Sequence, residues 1–472
     1  MPSGALLYYR DSLAILYAEV KEMAKRIWIL ALCVVIAGVI VAIALAEKPQ
    51  TDEQTPESTA APENAQKLSF GFGLQSTGRV GPGKDETGTP VYSINQPFAA
   101  ALFDEEGRIR YLYVDQLEAA TPNYDGAGMP RFSGFPGQRY NLDEKHDGKI
   151  AGQLVVTETS LVDEVGAWQT KRARGESYQL TSGTWSAQMD AYQKLFVGKT
   201  VAELEDWFAR FTSEANGRPL KPDAANEQDK AKYDALSEEE KTALADVTSG
   251  ATMSLNDAHG DILGAIRAAY DARKEVGGDV QSVGLVLSPG AIKNGDAYTL
   301  NEVFAAACFD GEGRVVASHI DQMEVVSDNA SGDAPRFSGY PGQMPQVEGT
   351  GEITDDSFLT QIASWQTKRQ RGAAYRMPAG TWSDQMDAYQ QLFLGKTLPE
   401  IKDWFDAFCG AEGKPLKPDM QGADQEKYTA LSEKEKSALA DVTSSASMSL
   451  KSAQNDLLGA LQKAYDERMP IK

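Results

Sequence analysis

Hydrophobic and polar positions follow three different rhythms along the chain. Ile27 to Ala46 is an uncharged apolar run of 20 residues, about 30 Å long as a helix at roughly 1.5 Å per residue, which matches a bilayer core. Pro49 to Gln66, rich in Thr, Glu, Pro, Ala and Gln, has no apolar period and reads as a tether. Beyond it, Pro97 to Phe103 is apolar, Asp104 to Gly107 is an acidic glycine turn, and Arg108 to Val114 alternates. That order predicts a β-hairpin. Val303 to Phe309, Asp310 to Gly313 and Arg314 to Val325 repeat it. The period then becomes helical. Trp185, Met189, Tyr192 and Phe196 share one face of a helix that stops near Gly198, and Val201, Leu204, Trp207, Phe208 and Phe211 outline the next, with Trp404 and Phe405 in the copy. These aromatic stripes read as core packing. Ile262, Leu263, Ile266, Ala269 and Tyr270 form one more apolar helical face.

The recurrence is an internal duplication. Arg131 to Gln138 (RFSGFPGQ) returns as Arg336 to Gln343 (RFSGYPGQ), Trp168 to Arg172 as Trp365 to Arg369, and Gly198-Lys199-Thr200 as Gly395-Lys396-Thr397. The sequence therefore predicts two tandem copies of one α+β domain, 67–275 and 278–470, each a small antiparallel sheet packed against helices. Gly198-Lys199-Thr200 lacks the glycine spacing of a nucleotide loop and reads as a helix end followed by the next helix start. Ser237 with Glu240, and Ser432 with Glu435, are capping boxes.

Charge adds a direction. Arg10, Lys21, Lys25 and Arg26 precede the apolar run, while Glu47, Asp52, Glu53 and Glu57 follow it with only Lys48 among them. The positive-inside tendency then predicts a cytoplasmic segment 1–26, a single-pass span 27–46, a linker 47–66 and both copies outside the cell membrane. Leu6 to Met23, with charges at helical spacing, reads as lying on the inner membrane face. The rival is a cleaved signal peptide, for which 26 preceding residues are long and small residues cluster only at Ala42 to Ala46. A formal net charge of −22 argues against nucleic acid as a partner. Three cysteines, Cys33, Cys308 and Cys409, and three scattered histidines, His146, His259 and His319, outline neither a disulfide scaffold nor a metal site. Redox chemistry would need an organic cofactor.

Candidate chemistry concentrates in Asp246-Val247-Thr248-Ser249-Gly250-Ala251-Thr252-Met253-Ser254. Small hydroxyl-bearing residues around a glycine, ahead of a helix, offer free N–H groups and a favourable dipole to a phosphate. An ordinary Ser/Thr cap would look the same. In the second copy the stretch reads Asp441 to Ser449, with Ser444, Ser445, Ala446 and Ser447 in place of Ser249, Gly250, Ala251 and Thr252.

Asp246-x-x-Ser249-Gly250-Ala251-Thr252-x-Ser254 resembles the flavinylation motif of the FMN-binding domain family, whose members include exported or membrane-anchored bacterial electron-transfer proteins. The order of Thr170-Lys171-Arg172, the aromatic helix and the Gly-Lys-Thr turn ahead of it is similar to exported members of that family. The resemblance implies covalent FMN, joined through its phosphate to Thr252 by a flavin transferase, with a second on Ser447 left open because Gly250 and Thr252 are replaced there. It implies a membrane-anchored extracytoplasmic flavoprotein passing electrons between membrane or extracellular redox partners. Arg131, Arg336, Lys171 and Arg172 are further candidates to meet the flavin, against the plainer reading of the repeated Arg131 and Arg336 loops as rigid turns. The alternative is a tandem extracellular binding or structural module that has lost the flavin; a tethered hydrolase would need a nucleophile and base that three scattered histidines do not suggest.

Overall fold

Strand Pro90–Phe103 (β3) organises the first half because both its faces are covered. Its Ala99, Ala101 and Phe103 point to one side, Phe98, Ala100 and Leu102 to the other, as the two-residue period of a strand requires. The computed structural model that shows this describes residues 67–140, 154–343 and 351–471, apart from residues 87, 125, 127, 258, 453 and 454. Ser69–Leu74 (β1) and Thr77–Lys84 (β2) lie end to end along one edge of β3, and Ile109–Ala120 (β4) runs antiparallel along the other. The predicted hairpin is thus present, and Lys274–Glu275 (β5) extends β1.

The second half repeats the arrangement with one unbroken edge strand. Ser282–Asn294 (β6), Ala297–Phe309 (β7) and Val315–Val326 (β8) form the antiparallel meander, and Met469–Pro470 (β9) closes its edge. Its hairpin also matches the sequence expectation.

Helices cover one face of each sheet. The helices of the first half are Glu158–Gly166 (α1), Trp185–Phe196 (α2), Val201–Phe211 (α3), Glu227–Asp234 (α4), Glu238–Gly250 (α5) and Ile262–Asp271 (α6), of which α2 and α6 lie directly on its sheet. Asp355–Ala363 (α7), Lys368–Arg371 (α8), Trp382–Phe393 (α9), Leu398–Phe408 (α10), Gly422–Ala430 (α11), Glu433–Ser445 (α12) and Leu457–Asp466 (α13) follow in the second. The aromatic stripe of α2 is core, as its period predicts: Trp185, Met189, Tyr192 and Phe196 are buried against Ala99, Ala101 and Phe103. Helix α6 lies so close to β1 that a Cβ at Gly71 would collide with the carbonyl of Ala269. Gly198 takes φ +87° after α2, and Thr200 caps α3 with Glu203 in a capping box, so the Gly-Lys-Thr turn is the helix end and start expected of it.

The two sheets meet through their remaining faces. Phe98 stacks edge-on against Phe304 at 5.3 Å between ring centroids, and Phe72 lies 5.8 Å from the same ring. One continuous core therefore joins both halves, and Gln66–Lys472 form a single compact unit. The order across it is helices, sheet, sheet, helices. The repeated Arg131 and Arg336 loops pin this contact: Gln138 Nε2 donates to the carbonyl of Ser338 at 2.7 Å and Gln343 Nε2 to that of Ser133 at 2.5 Å, while Phe132 and Phe337 pack at 5.1 Å. Helices are exchanged as well. α1 packs on β6 of the second half, and α7 packs on β2 of the first, where Tyr92 donates to Asp355 at 2.6 Å.

The α+β class with open sheets stands, but the expected architecture around it needs correction. The segments 1–26, 27–46 and 47–66, with the apolar run Ile27 to Ala46, lie outside the described residues. Among the described residues no helix is long and apolar enough to cross a membrane. The expected membrane helix, single-pass cell-membrane topology and extracytoplasmic placement thus find no counterpart among the described residues.

Candidate functional site

A cleft of about 390 Å³ opens in the first half, between β2, β4 and the loops around α2. Its wall includes Arg79, Gln116, Glu118, Tyr124, Lys171, Tyr178, Trp185, Gln188, Arg218 and Thr252. The volume falls within the range of small-molecule sites. Three cations face one carboxylate there, so the cleft is positive in an otherwise acidic chain.

The polar floor is a buried ion-pair set. Lys171 Nζ lies 2.9 Å from Glu118 Oε2, and Arg79 Nη1 lies 3.7 Å from Glu118 Oε1. Burial alone would push the Glu118 carboxyl up, but Lys171 and Arg79 outweigh it and hold the group below its usual range. Burial alone would pull Lys171 down, and Glu118 more than restores it, so the ammonium titrates above its usual range. Both groups stay charged at neutral pH. Tyr178 and Trp185 bring aromatic surface to the same place, with Lys171 Nζ 5.7 and 5.9 Å from their ring centroids.

Thr252 stands at the edge of this cleft, though for a different structural reason from the one its sequence suggests. Asp246 to Gly250 form the last turn of α5, and Ser249 bonds back to the carbonyl of Asp246 at 2.7 Å. Ala251 is the fully buried residue after the helix. Thr252 therefore follows a helix C-terminus. The next helix, α6, begins only at Ile262, and its first turn is capped by Asp261, which accepts from the Gly264 N–H at 2.7 Å. The expected supply of free N–H groups and a favourable dipole from a following helix is absent at Thr252. Gly250 also needs no positive φ, so the serine at 445 is no obstacle in the copy.

What holds Thr252 is Gln188 of α2. Its Oε1 accepts from the N–H groups of Thr252 at 2.9 Å and Met253 at 3.1 Å, while Tyr192 donates to the Met253 carbonyl at 3.2 Å. The Thr252 hydroxyl shares a hydrogen bond with Ser182 at 3.2 Å. Gln188 Nε2 is buried in the cleft wall without a protein partner, a donor available to a ligand oxygen.

Of the sequence-selected residues, Thr252 and Lys171 reach the cleft; Ser249, Gly250 and Ala251 do not line it. Arg172 is turned to Asp190 at 2.8 Å and to the ring of Tyr113 at 4.6 Å. Arg131 and Arg336 close their own loops, donating to the carbonyls of Tyr124 at 3.3 Å and of Asp328 at 2.9 Å. The plainer reading of those loops as rigid turns fits them. In the second half Ser444 bonds to the Asp441 carbonyl at 2.7 Å, Ser445 ends α12, Ala446 is buried, and Ser447 N–H reaches Gln385 Oε1 at 2.8 Å. Sequence reasoning missed Arg79, Glu118, Tyr178, Gln188 and Arg218. Glu118 and Gln188 carried a usable signal, since Glu324 and Gln385 repeat them.

The comparisons with known proteins narrow the reading. Over 190 residues, 38% of this chain, it is 35% identical to a protein described as chlorophenol reductase from Desulfitobacterium hafniense. The match covers 54% of that protein, so the chain spans about half the length of this curated relative. No protein-family description matches the chain, and no solved structure matches it. The assignment to the FMN-binding domain family is thereby overturned, and the tandem FMN-binding-type architecture falls with it. The picture of a membrane-anchored electron carrier with membrane or extracellular redox partners loses its basis too. Among the described residues no group of His, Cys, Asp and Glu could hold a metal ion.

Proposed function

We propose that the chain is a redox protein of the reductase kind, and that the first-half cleft holds a planar, phosphate-bearing organic cofactor, FMN, esterified to Thr252. The observation that carries this reading is the meeting in one cleft of a fixed threonine hydroxyl, aromatic surface and an excess of positive charge. The residues present fit such a group, because Gln188 Nε2 is a buried donor lacking an acceptor beside Thr252. The partial likeness to a reductase supports the same class of chemistry. Bound FMN would supply hydride or one-electron exchange. The chain's own residues would do the rest: Gln188 fixes the backbone at Thr252, Arg79 and Arg218 attract the phosphate, and Tyr178 and Trp185 offer their rings to the planar part.

Intact-mass measurement of the protein from its native source should show an added FMN moiety, and peptide mapping should place it on the peptide containing Thr252. Thr252→Val should remove the adduct and leave the unfolding midpoint almost unchanged, because the threonine side chain is not part of the core. Native protein without flavin would overturn the proposal.

A further inference from the structure

The two halves share a fold but differ at the positions that make the first cleft positive. Arg79 stands opposite Ser93, which in turn stands opposite Ala120; the matching chain of partners in the second half is Ile292, Thr299 and Val326. An isoleucine therefore occupies the place of Arg79. Tyr124, whose N–H bonds to the Thr121 carbonyl, corresponds to Ala330, whose N–H bonds to that of Ser327. Ser182, between the strands of a short ladder, corresponds to Ala379, so Ser447 lacks the hydroxyl partner of Thr252 and its own hydroxyl turns to Gln385 at 3.4 Å.

Electrostatics follow the substitutions. Where Glu324, Ala330 and Tyr375 repeat Glu118, Tyr124 and Tyr178, the second half contains a cleft of about 430 Å³ whose wall also includes Asp296, Asp333 and Arg371, three carboxylates against one guanidinium, while Ile292, Gln385 and Ser447 do not line it. Arg371 is already bound to Asp333 at 2.7 Å. Lys368 stands 3.6 Å from Glu324, and there burial dominates and holds the ammonium below its usual range. A phosphate entering this cleft meets net negative charge.

The second half nevertheless contributes to the first cleft. Helix α7 packs on β2 beside Arg79: a Cβ added at Gly78 would touch Phe358, Leu359 and Ile362. β2 is an edge strand whose pairing with β3 is interrupted beyond Val80, so α7 is what holds its course toward the cleft.

Resting on the proposed function, we infer that Arg79 is the residue that selects the phosphate-bearing ligand, that the chain takes one such ligand and not two, and that the second half serves the site by bracing β2. Arg79 attracts the phosphate; in the copy Ile292 supplies no such cation, and the carboxylates of Asp296, Glu324 and Asp333 repel the same ligand.

Titration of the full-length chain produced without a flavin transferase, so that Thr252 is unmodified, with FMN and with riboflavin, followed by flavin fluorescence, tests this. One FMN per chain is expected. Arg79→Ile should weaken FMN binding about tenfold or more, the scale of a lost charge-assisted hydrogen bond, while riboflavin, which lacks the phosphate, changes by less than about twofold. Arg79→Lys should keep most of the FMN affinity, and unchanged riboflavin binding reports an intact cleft. Two FMN per chain, or equal losses for FMN and riboflavin in Arg79→Ile, would overturn the inference while leaving the proposed function standing. No FMN binding by the unmodified chain, together with native protein that carries no flavin, would overturn the proposed function itself.

Discussion

Gln188 shows how one uncharged side chain can fix the backbone at the edge of a charged site. Its carbonyl oxygen satisfies two successive backbone donors, at Thr252 and Met253, just after a helix end where the chain has no regular partner. Replacing it with Met keeps much of the volume and strands both donors. Gln188→Met should lower unfolding free energy by roughly 1–3 kcal/mol, the usual penalty for buried unsatisfied groups, measured as a shift in the urea midpoint at constant slope. Gln385 makes the same pair of bonds to Ser447 and Met448, so Gln385→Met should lose a similar amount. If only the first substitution were destabilising, Gln188 would owe its role to something other than this backbone contact. Thr252 was legible in the sequence as a small hydroxyl residue in a distinctive stretch. Gln188 was legible only as a residue repeated at Gln385; its partner was not, because the contact spans 64 positions and nothing local to α2 requires an amide there.

At the level of elements, the sequence was most readable where a period was long and uninterrupted. The hairpins β3–β4 and β7–β8, the stripe of α2 and the capping boxes of α5 and α12 all rest on local patterns, and all are present. The end of α5 departs from what its residues suggest. Asp246 to Gly250 lack a strong apolar face, but the helix begun at Ser237 continues through them because nothing there stops it before Ala251. The partnership of the halves was also hidden, since a strand with both faces apolar does not reveal what covers the second face. The exchanged helices and paired loops imply joint folding. Phe337→Ala, which empties a ring packed against Phe132, Tyr340 and Trp365, should cost about 3–5 kcal/mol, and unfolding should remain one transition by fluorescence and circular dichroism alike. Separate transitions for the two halves would show that the shared core does not couple them.

Across the molecule, one buried acid reports on the contact between sheets. Glu302 accepts from Gln96 Nε2 at 2.7 Å, and its Oε1 has no partner. Burial pushes its carboxyl from 4.5 up to about 7, with the Gln96 hydrogen bond only partly opposing the change. The folded chain thus keeps this proton to higher pH than the unfolded chain does. Its stabilising contribution is complete below about pH 4.5 and is lost as pH rises through about 7. Glu302→Gln removes the titration and supplies an amide donor that can face Gln96 Oε1, which now lacks one. Between pH 5 and pH 8 the variant should gain about 2–3 kcal/mol relative to the parent, since each tenfold change in proton affinity is worth about 1.4 kcal/mol and part of the change falls outside that interval. Urea unfolding at each pH measures this. A difference that did not change with pH would refute the assignment.

The back-to-back sheets have a consequence for how such a chain can change over time. A polypeptide carrying a single copy would expose the face that now holds Phe98 and Phe304, and could cover it by pairing with its twin about a true two-fold axis. Every substitution would then occur on both sides of that axis at once, and the two clefts would stay identical. Covalent fusion leaves the geometry nearly symmetric but frees each half to vary alone. Arginine at 79 and isoleucine at 292 are what that broken symmetry permits: one half free to specialise while the other remains as its scaffold.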